Sequence, residues 1–108
     1  MLRICSHVQH RGGGRNWPAF LNGNDLYAYC TASDPSKRGI CLGYVEGMAD
    51  SIAVMQSIST ATVFCIPTVL AGQARDVVVK YLQENPAHRH EAGANLVMEA
   101  LHDAWPCR

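Results

Sequence analysis

Residues 39–58, GICLGYVEGMADSIAVMQSI, decide the fold. Their apolar positions Cys41, Val45, Met48, Ile52 and Met55 follow one another at steps of four, three, four and three. That is the spacing of one face of an α-helix, so the stretch predicts a helix from Gly39 to Ile58 with a buried stripe. Glycine inside a helix costs about 1 kcal/mol relative to alanine. Gly43 and Gly47 lie four apart, and such a pair predicts the close approach of another backbone.

Upstream, Asn22 is placed to cap a helix and Asp25 puts a negative charge in its first turn. That first helix carries Leu26, Tyr27 and Tyr29 and ends near Cys30; TASDPSKR, residues 31–38, then reads as a polar loop. Downstream, Thr60 to Pro67 is β-branched and apolar and reads as an extended buried connection. A third helix is expected from Thr68 or Ala71 to Gln83, with Leu70, Ala74, Val77, Val78, Tyr81 and Leu82 inward. Asn85-Pro86 stops it. Three consecutive valines disfavour a helix, so packing has to hold this one. PAHRHE, residues 86–91, is a polar loop. A fourth helix spans about Glu91 to Ala104, with Leu96, Val97, Ala100, Leu101 and Ala104 inward, and Pro106 ends it. The expected fold is all-α, a compact bundle of about four helices. It occupies residues 17–108 as one domain, after a Gly/Arg-rich leader, residues 1–16, read as disordered or non-native.

The balance of the chain excludes several classes of function. Charged residues are 17% and the formal net charge is zero, so the basic footprint of a nucleic-acid binder is missing. The longest mixed-apolar stretch, Thr60 to Ala71, is interrupted by Pro67, which argues against a membrane span. Met1 to Arg15 has no apolar core of a secretory leader, so either the protein stays inside, with a cytoplasmic location as the alternative, or a leader has been removed.

Five cysteines stand at 5, 30, 41, 65 and 107. Cys5 lies in the polar leader and is the natural odd thiol. Cys30 ends the first helix and Cys41 opens the second, so a bridge there ties the two across their loop. In an up-down bundle the ends of alternate helices share one end of the molecule. Cys65, after the second helix, and Cys107, after the fourth, can therefore meet. Of the three pairings open to four cysteines, Cys30–Cys41 with Cys65–Cys107 is preferred. Loop closure makes these worth about 3 and about 4 kcal/mol.

Nothing in the chain spells out an active site. There is no G-x-S-x-G, H-E-x-x-H or phosphate-cradling loop. Each cysteine from Cys30 onward is better explained as half of a bridge than as a nucleophile. Asp25, Glu46, Asp50, Asp76 and Glu99 fall on helices as solvated or capping residues. No C-x-x-C pair occurs, and His88, His90 and His102 do not share a ligand spacing with two cysteines. Cys5, His7 and His10 sit in the leader and read as incidental. No enzyme activity, metal or cofactor is expected.

The line of residues from Asn22 to Cys107 resembles the Rap/Tai family of type VI secretion immunity proteins. The carrying motifs are Asn22-Gly23-Asn24-Asp25-Leu26-Tyr27 with Tyr29-Cys30, then Cys41-Leu42-Gly43-Tyr44-Val45-Glu46-Gly47 with Asp50. Phe64-Cys65-Ile66-Pro67 follows, then Gln73, Val77-Val78-Val79-Lys80-Tyr81-Leu82, Asn85-Pro86, Ala100-Leu101 and Trp105-Pro106-Cys107. The resemblance implies a small helical, disulfide-stabilised protein, often homodimeric and periplasmic. Such a protein binds a peptidoglycan amidase toxin and blocks its active-site cleft without catalysis of its own.

An inhibitor gains from a rigid, protruding polar loop that loses little entropy on binding. Residues 86–91 are the first candidate, with His88, Arg89, His90 and Glu91, and arginine is a common interface anchor. Residues 31–38 are the second, with Ser36 and Lys37 braced by Cys30–Cys41. Tyr27, Tyr44 and Tyr81 read as core or dimer contacts. Two other readings compete. One is the same scaffold as a phage-borne or orphan cytoplasmic inhibitor of a different macromolecular target, and the other is a thiol enzyme. The bridged reading predicts one free thiol in denatured, unreduced protein from an oxidising compartment; four or five would refute it.

Overall fold

The computed structural model describes residues 19–59 and 64–107. The leader and Cys5 lie outside the described residues. Four α-helices follow one another: α1 Gly23–Cys30, α2 Pro35–Ser57, α3 Ala71–Glu84 and α4 Gly93–Ala104. A 3₁₀ turn, Pro86–His88, separates α3 from α4. No strand forms among the described residues, although isolated antiparallel bridges join Asn22 to Ala92 and Phe64 to Pro106. The architecture is the expected all-α bundle.

The first two helices begin at side-chain caps, whereas α3 and α4 have none. In α1 the Asn22 side chain accepts from the Asp25 amide at 2.8 Å, and the Asp25 carboxylate accepts from the Asn22 amide at 3.2 Å, a reciprocal capping box. α2 starts four residues before the expected Gly39. Asp34 caps it by accepting from the Ser36 amide at 2.9 Å, and Pro35 occupies the first turn, where its missing N–H costs nothing. Ser36 and Lys37 therefore stand on a helix and not in a loop. Asn85 ends α3, its side-chain amide donating to the Tyr81 carbonyl at 2.9 Å.

The core is built by Leu26 and Cys30 of α1, Cys41, Val45 and Ile52 of α2, Ala74, Val78 and Leu82 of α3, and Leu96, Val97, Ala100 and Leu101 of α4. α1 packs chiefly on α2 and α3 on α4, with α2 against α3 closing the bundle. Val78 is fully buried, so packing outweighs the weak helix propensity of the valine triplet.

Several expected inward positions turn out otherwise. Met55 is 62% exposed and Met48 only half-buried. The cause is length. At 1.5 Å per residue α2 is roughly 34 Å long and α3 about 21 Å, so the last turns of α2 overhang the bundle. Leu70 precedes α3 and is exposed, as is Ala104 in the last turn of α4. Gly43 and Gly47 meet no neighbour: a Cβ added at either would have nothing within 4 Å. They lie on the side of α2 opposite Val45 and Ile52, so the expected close backbone approach does not occur among the described residues.

The described part of the connection before α3, residues 64–70, is irregular, bends at Thr68 and is only partly buried; Thr60 to Val63 lie outside the described residues. Phe64 and Ile66 are half-buried, whereas Cys65 and Pro67 are exposed. Its start is held by Gln56, whose side-chain amide accepts from the Phe64 amide at 2.7 Å and donates to the Phe64 carbonyl at 3.2 Å. The Cys65 amide donates to the Trp105 carbonyl at 3.0 Å. This brings Cys65 to the end of α4, where it bonds Cys107; Cys30 and Cys41 form the second disulfide. Both expected pairings are present.

Of the two bridges, Cys65–Cys107 closes the longer loop, with a sequence separation of 42 against 11. Removing it by Cys107→Ser is expected to cost about 4 kcal/mol and to lower the Tm by on the order of 15 °C or more in a calorimetric scan. A drop of only a few degrees would show that the C-terminal end is held by packing alone.

Candidate functional site

The segment between α3 and α4 is a turn tied by backbone hydrogen bonds within itself and to α1. The His88 amide donates to Asn85, the Arg89 amide to Pro86 and the Glu91 amide to His88, at 3.1, 3.3 and 2.9 Å. The loop then lies against the start of α1. The Gly23 amide donates to the Glu91 carbonyl at 2.9 Å and the Asn24 amide to the Arg89 carbonyl at 2.8 Å. The Gly93 amide donates in return to the Leu21 carbonyl at 2.8 Å. Loop and helix N-terminus thus satisfy each other's backbone groups.

Close contact makes glycine obligatory at 23. A Cβ there would strike a Leu96 side-chain methyl and stand 2.8 Å from both the Cα and the carbonyl oxygen of Arg89. Tyr44 adds to the seat from α2: its phenol oxygen accepts from the Ala94 backbone, and burial pushes its ionisation above the usual tyrosine range.

The four loop residues singled out in the sequence divide into two pairs. Arg89 folds back, its guanidinium 4.3 Å from the centroid of the Tyr27 ring, a cation–π contact. Its Nε is buried without a hydrogen-bond partner among the described residues. Glu91 is largely covered and holds the His88 Nδ1 at 2.9 Å. His88 and His90 themselves are exposed at the tip. A partner docking here meets two imidazoles on a braced turn, while Arg89 acts as the brace. The role of Tyr27 as the seat for Arg89 was not readable, because a half-buried tyrosine in α1 carries no mark of which loop will reach it.

The second candidate segment lies at the other end of α1. Arg38 closes it, donating from one guanidinium nitrogen to the carbonyls of Ala32 and Ser33 at 3.1 and 2.7 Å. Thr31 caps the preceding helix through its hydroxyl to Tyr27 at 2.8 Å, and the Cys30–Cys41 bridge spans the turn. Ser36 and Lys37 are exposed on the first turn of α2. Since α1 has eight residues, about 12 Å of helix separates this patch from the histidine tip. The two segments do not form one continuous site.

Tyr81 is half-buried against the core, and its hydroxyl donates to Glu99 at 2.7 Å. Burial first, then that bond and the negative charges of Glu99, Asp103 and Glu91, drive its ionisation well above the ordinary range. It is a neutral structural donor, not a base. No group of three or more His, Cys, Asp or Glu arranged to hold a metal ion occurs among the described residues.

A short all-helical domain, stapled by disulfides at two places and carrying a braced polar loop, has the build of a protein-binding scaffold. The chain belongs to the Rap1a immunity protein family, whose model matches residues 22–107. It is therefore an immunity protein, a class whose partner is a protein toxin. No curated protein matches the sequence. The match spans the capped start of α1, both disulfides and the 86–91 loop.

Because Gly23 has no room for a side chain, Gly23→Ala is expected to destabilise the fold by about 1–3 kcal/mol in urea unfolding. Gly47→Ala, in open space, is the reference and should stabilise by up to about 1 kcal/mol. Equal effects at both positions would contradict the seat described for the loop.

Proposed function

We propose that this protein binds a type VI secretion peptidoglycan amidase toxin and occludes its active-site cleft with the 86–91 loop. The observation that carries the reading is the bracing of that loop. Its backbone is bonded to α1, Arg89 is stacked on Tyr27, and the exposed imidazoles of His88 and His90 project from a turn that is already ordered. Such preorganisation spares the ordering cost that a mobile loop would incur on binding. Arg89 and Glu91 contribute by holding the loop's shape, and Ser36 and Lys37 form a secondary contact patch. The protein performs no chemistry of its own in this role.

Two disulfides in so small a domain support an oxidising compartment, and the reading takes the protein to act in the periplasm, as a homodimer. There it would meet an incoming wall hydrolase before the wall is cut.

The test is inhibition of purified type VI peptidoglycan amidases, with wall hydrolysis as readout. Saturating protein should abolish activity of the cognate toxin. The double variant His88→Ala/His90→Ala should keep its helical circular dichroism yet weaken inhibition at least about 30-fold, the scale of one interface hot spot. If no wall amidase is bound or inhibited, the target assignment fails. If the double variant inhibits as well as the parent, the loop is not the occluding element.

A further inference from the structure

A groove runs along α2 where the connection to α3 passes it. Its wider part has a volume of about 530 Å³, with Val45, Ala74 and Leu101 in its floor and Glu46 and Asp50 on its rim. It continues past Ala53 and Gln56 into a further volume of about 270 Å³. Val45 and Leu101 close the groove from below, the half-buried Ala49, Ile66, Val69 and Ala71 supply its accessible apolar surface, and no Lys, Arg or His of the described residues lines either part.

Glu46 and Asp50 lie one helical turn apart, on one side of α2, with about 6 Å between their Cβ atoms. Both are exposed, and neither is in an ion pair or side-chain hydrogen bond among the described residues. The opposite wall is the connection itself. From Ile66 to Val69 its backbone makes no hydrogen bond within the described residues, although Cys65 before it and Leu70 after it both do. The carbonyls of this segment and the amides of Ile66, Thr68 and Val69 thus stand open across the groove from two unpaired carboxylates, although the segment bends at Thr68 and Pro67 has no amide to offer.

We propose that this groove is a second docking site, for an extended peptide segment of a protein partner that carries Lys or Arg. The aliphatic stem of the basic residue lies along the apolar side chains of the groove, its head meets Glu46 and Asp50, and its backbone bonds open groups of Ile66, Thr68 and Val69. Charge complementarity selects this occupant. A metal ion would find two carboxylates on one helix and no third ligand among the described residues, whereas hard cations take six or more oxygens. A second copy of this chain offers no fitting described segment. Lys37, Arg38, Arg75 and Lys80 all stand on helices, and Arg89 is folded onto Tyr27. The groove lies beside the start of α3 and the 86–91 loop follows its end, about 20 Å away along that helix. The site is therefore independent of the proposed loop contact.

The experiment is an NMR titration of the ¹⁵N-labelled, oxidised protein with the blocked peptide acetyl-Ala-Arg-Val-Arg-Val-amide. An acidic counterpart with Glu in place of both arginines is the control. The basic peptide should produce saturable shifts at the amides of Ile66, Thr68, Val69, Ala49 and Ala53. The variant Glu46→Gln/Asp50→Asn should weaken that binding at least about fivefold, as two partly exposed ion pairs allow. Four results would overturn the proposal: no saturable shift, shifts centred on residues 86–91, equal binding of the two peptides, or the same amides shifting with protein concentration alone. The last would assign the groove to self-association.

Discussion

The start of an α-helix leaves four backbone amides without partners inside it, and α1 is too short to tolerate that loss. All four are satisfied here. Asn22 donates to the Asp25 carboxylate and Asp25 to the Asn22 side chain, while Gly23 and Asn24 donate to the carbonyls of Glu91 and Arg89. Half of the cap is therefore local in sequence and half comes from almost seventy residues away. The long-range half does more than complete a helix. It fixes the direction of the 86–91 loop, sets α4 beside α1 through Gly93 and Leu21, and requires glycine at position 23. A polar loop becomes an ordered surface because its carbonyls are engaged behind it.

The two disulfides sit differently, Cys30–Cys41 inside the core and Cys65–Cys107 at its edge, yet each restrains a neighbouring surface segment. The buried side chains are mostly Leu, Val and Ala, a modest core for a domain of this size. Cys30–Cys41 joins two helices across a turn whose other restraints are hydrogen bonds at an exposed surface. Cys65–Cys107 ties down a connection with open backbone groups, aided by Gln56 and by one backbone bond to Trp105. Each bridge limits the freedom of a segment at the surface. Such segments are also the ones with surface left for a partner.

Much of this was legible in the sequence wherever the governing interaction is local. The capping residues of α1, the i, i+3, i+4 stripe through Cys41, Val45 and Ile52, the stop at Asn85-Pro86 and the bridge pairing all follow from spacing and element ends. The misreadings come from geometry that spacing does not carry. Met55 satisfies the periodicity of α2, but periodicity contains no information on how far the neighbouring helices reach. Gly43 and Gly47 signal a missing side chain, not what occupies the space beyond it. Asp34-Pro35 was readable as a cap and first turn, yet the polarity of its surroundings suggested a loop. Arg89 was assigned to the tip by its place in PAHRHE. Only the fold shows the Tyr27 ring that draws it back.

Arg89 also shows how one residue type can serve stability and recognition in opposite ways. An arginine free in solvent at a loop tip would bring five donors to a partner, at the cost of ordering a long side chain. Stacked on Tyr27 with its Nε buried, it has already given up that freedom, and it fixes the backbone whose carbonyl caps α1. What remains for a partner at the tip is the pair of imidazoles, short side chains on an ordered backbone. His88 is further restrained by Glu91, which leaves its other ring nitrogen available. Shape complementarity at this end therefore depends on residues that need not touch the partner. In the groove beside α2 the exposed carboxylates themselves would make the contact, so the two surfaces call on different physics: preorganisation at the loop and charge complementarity along the helix.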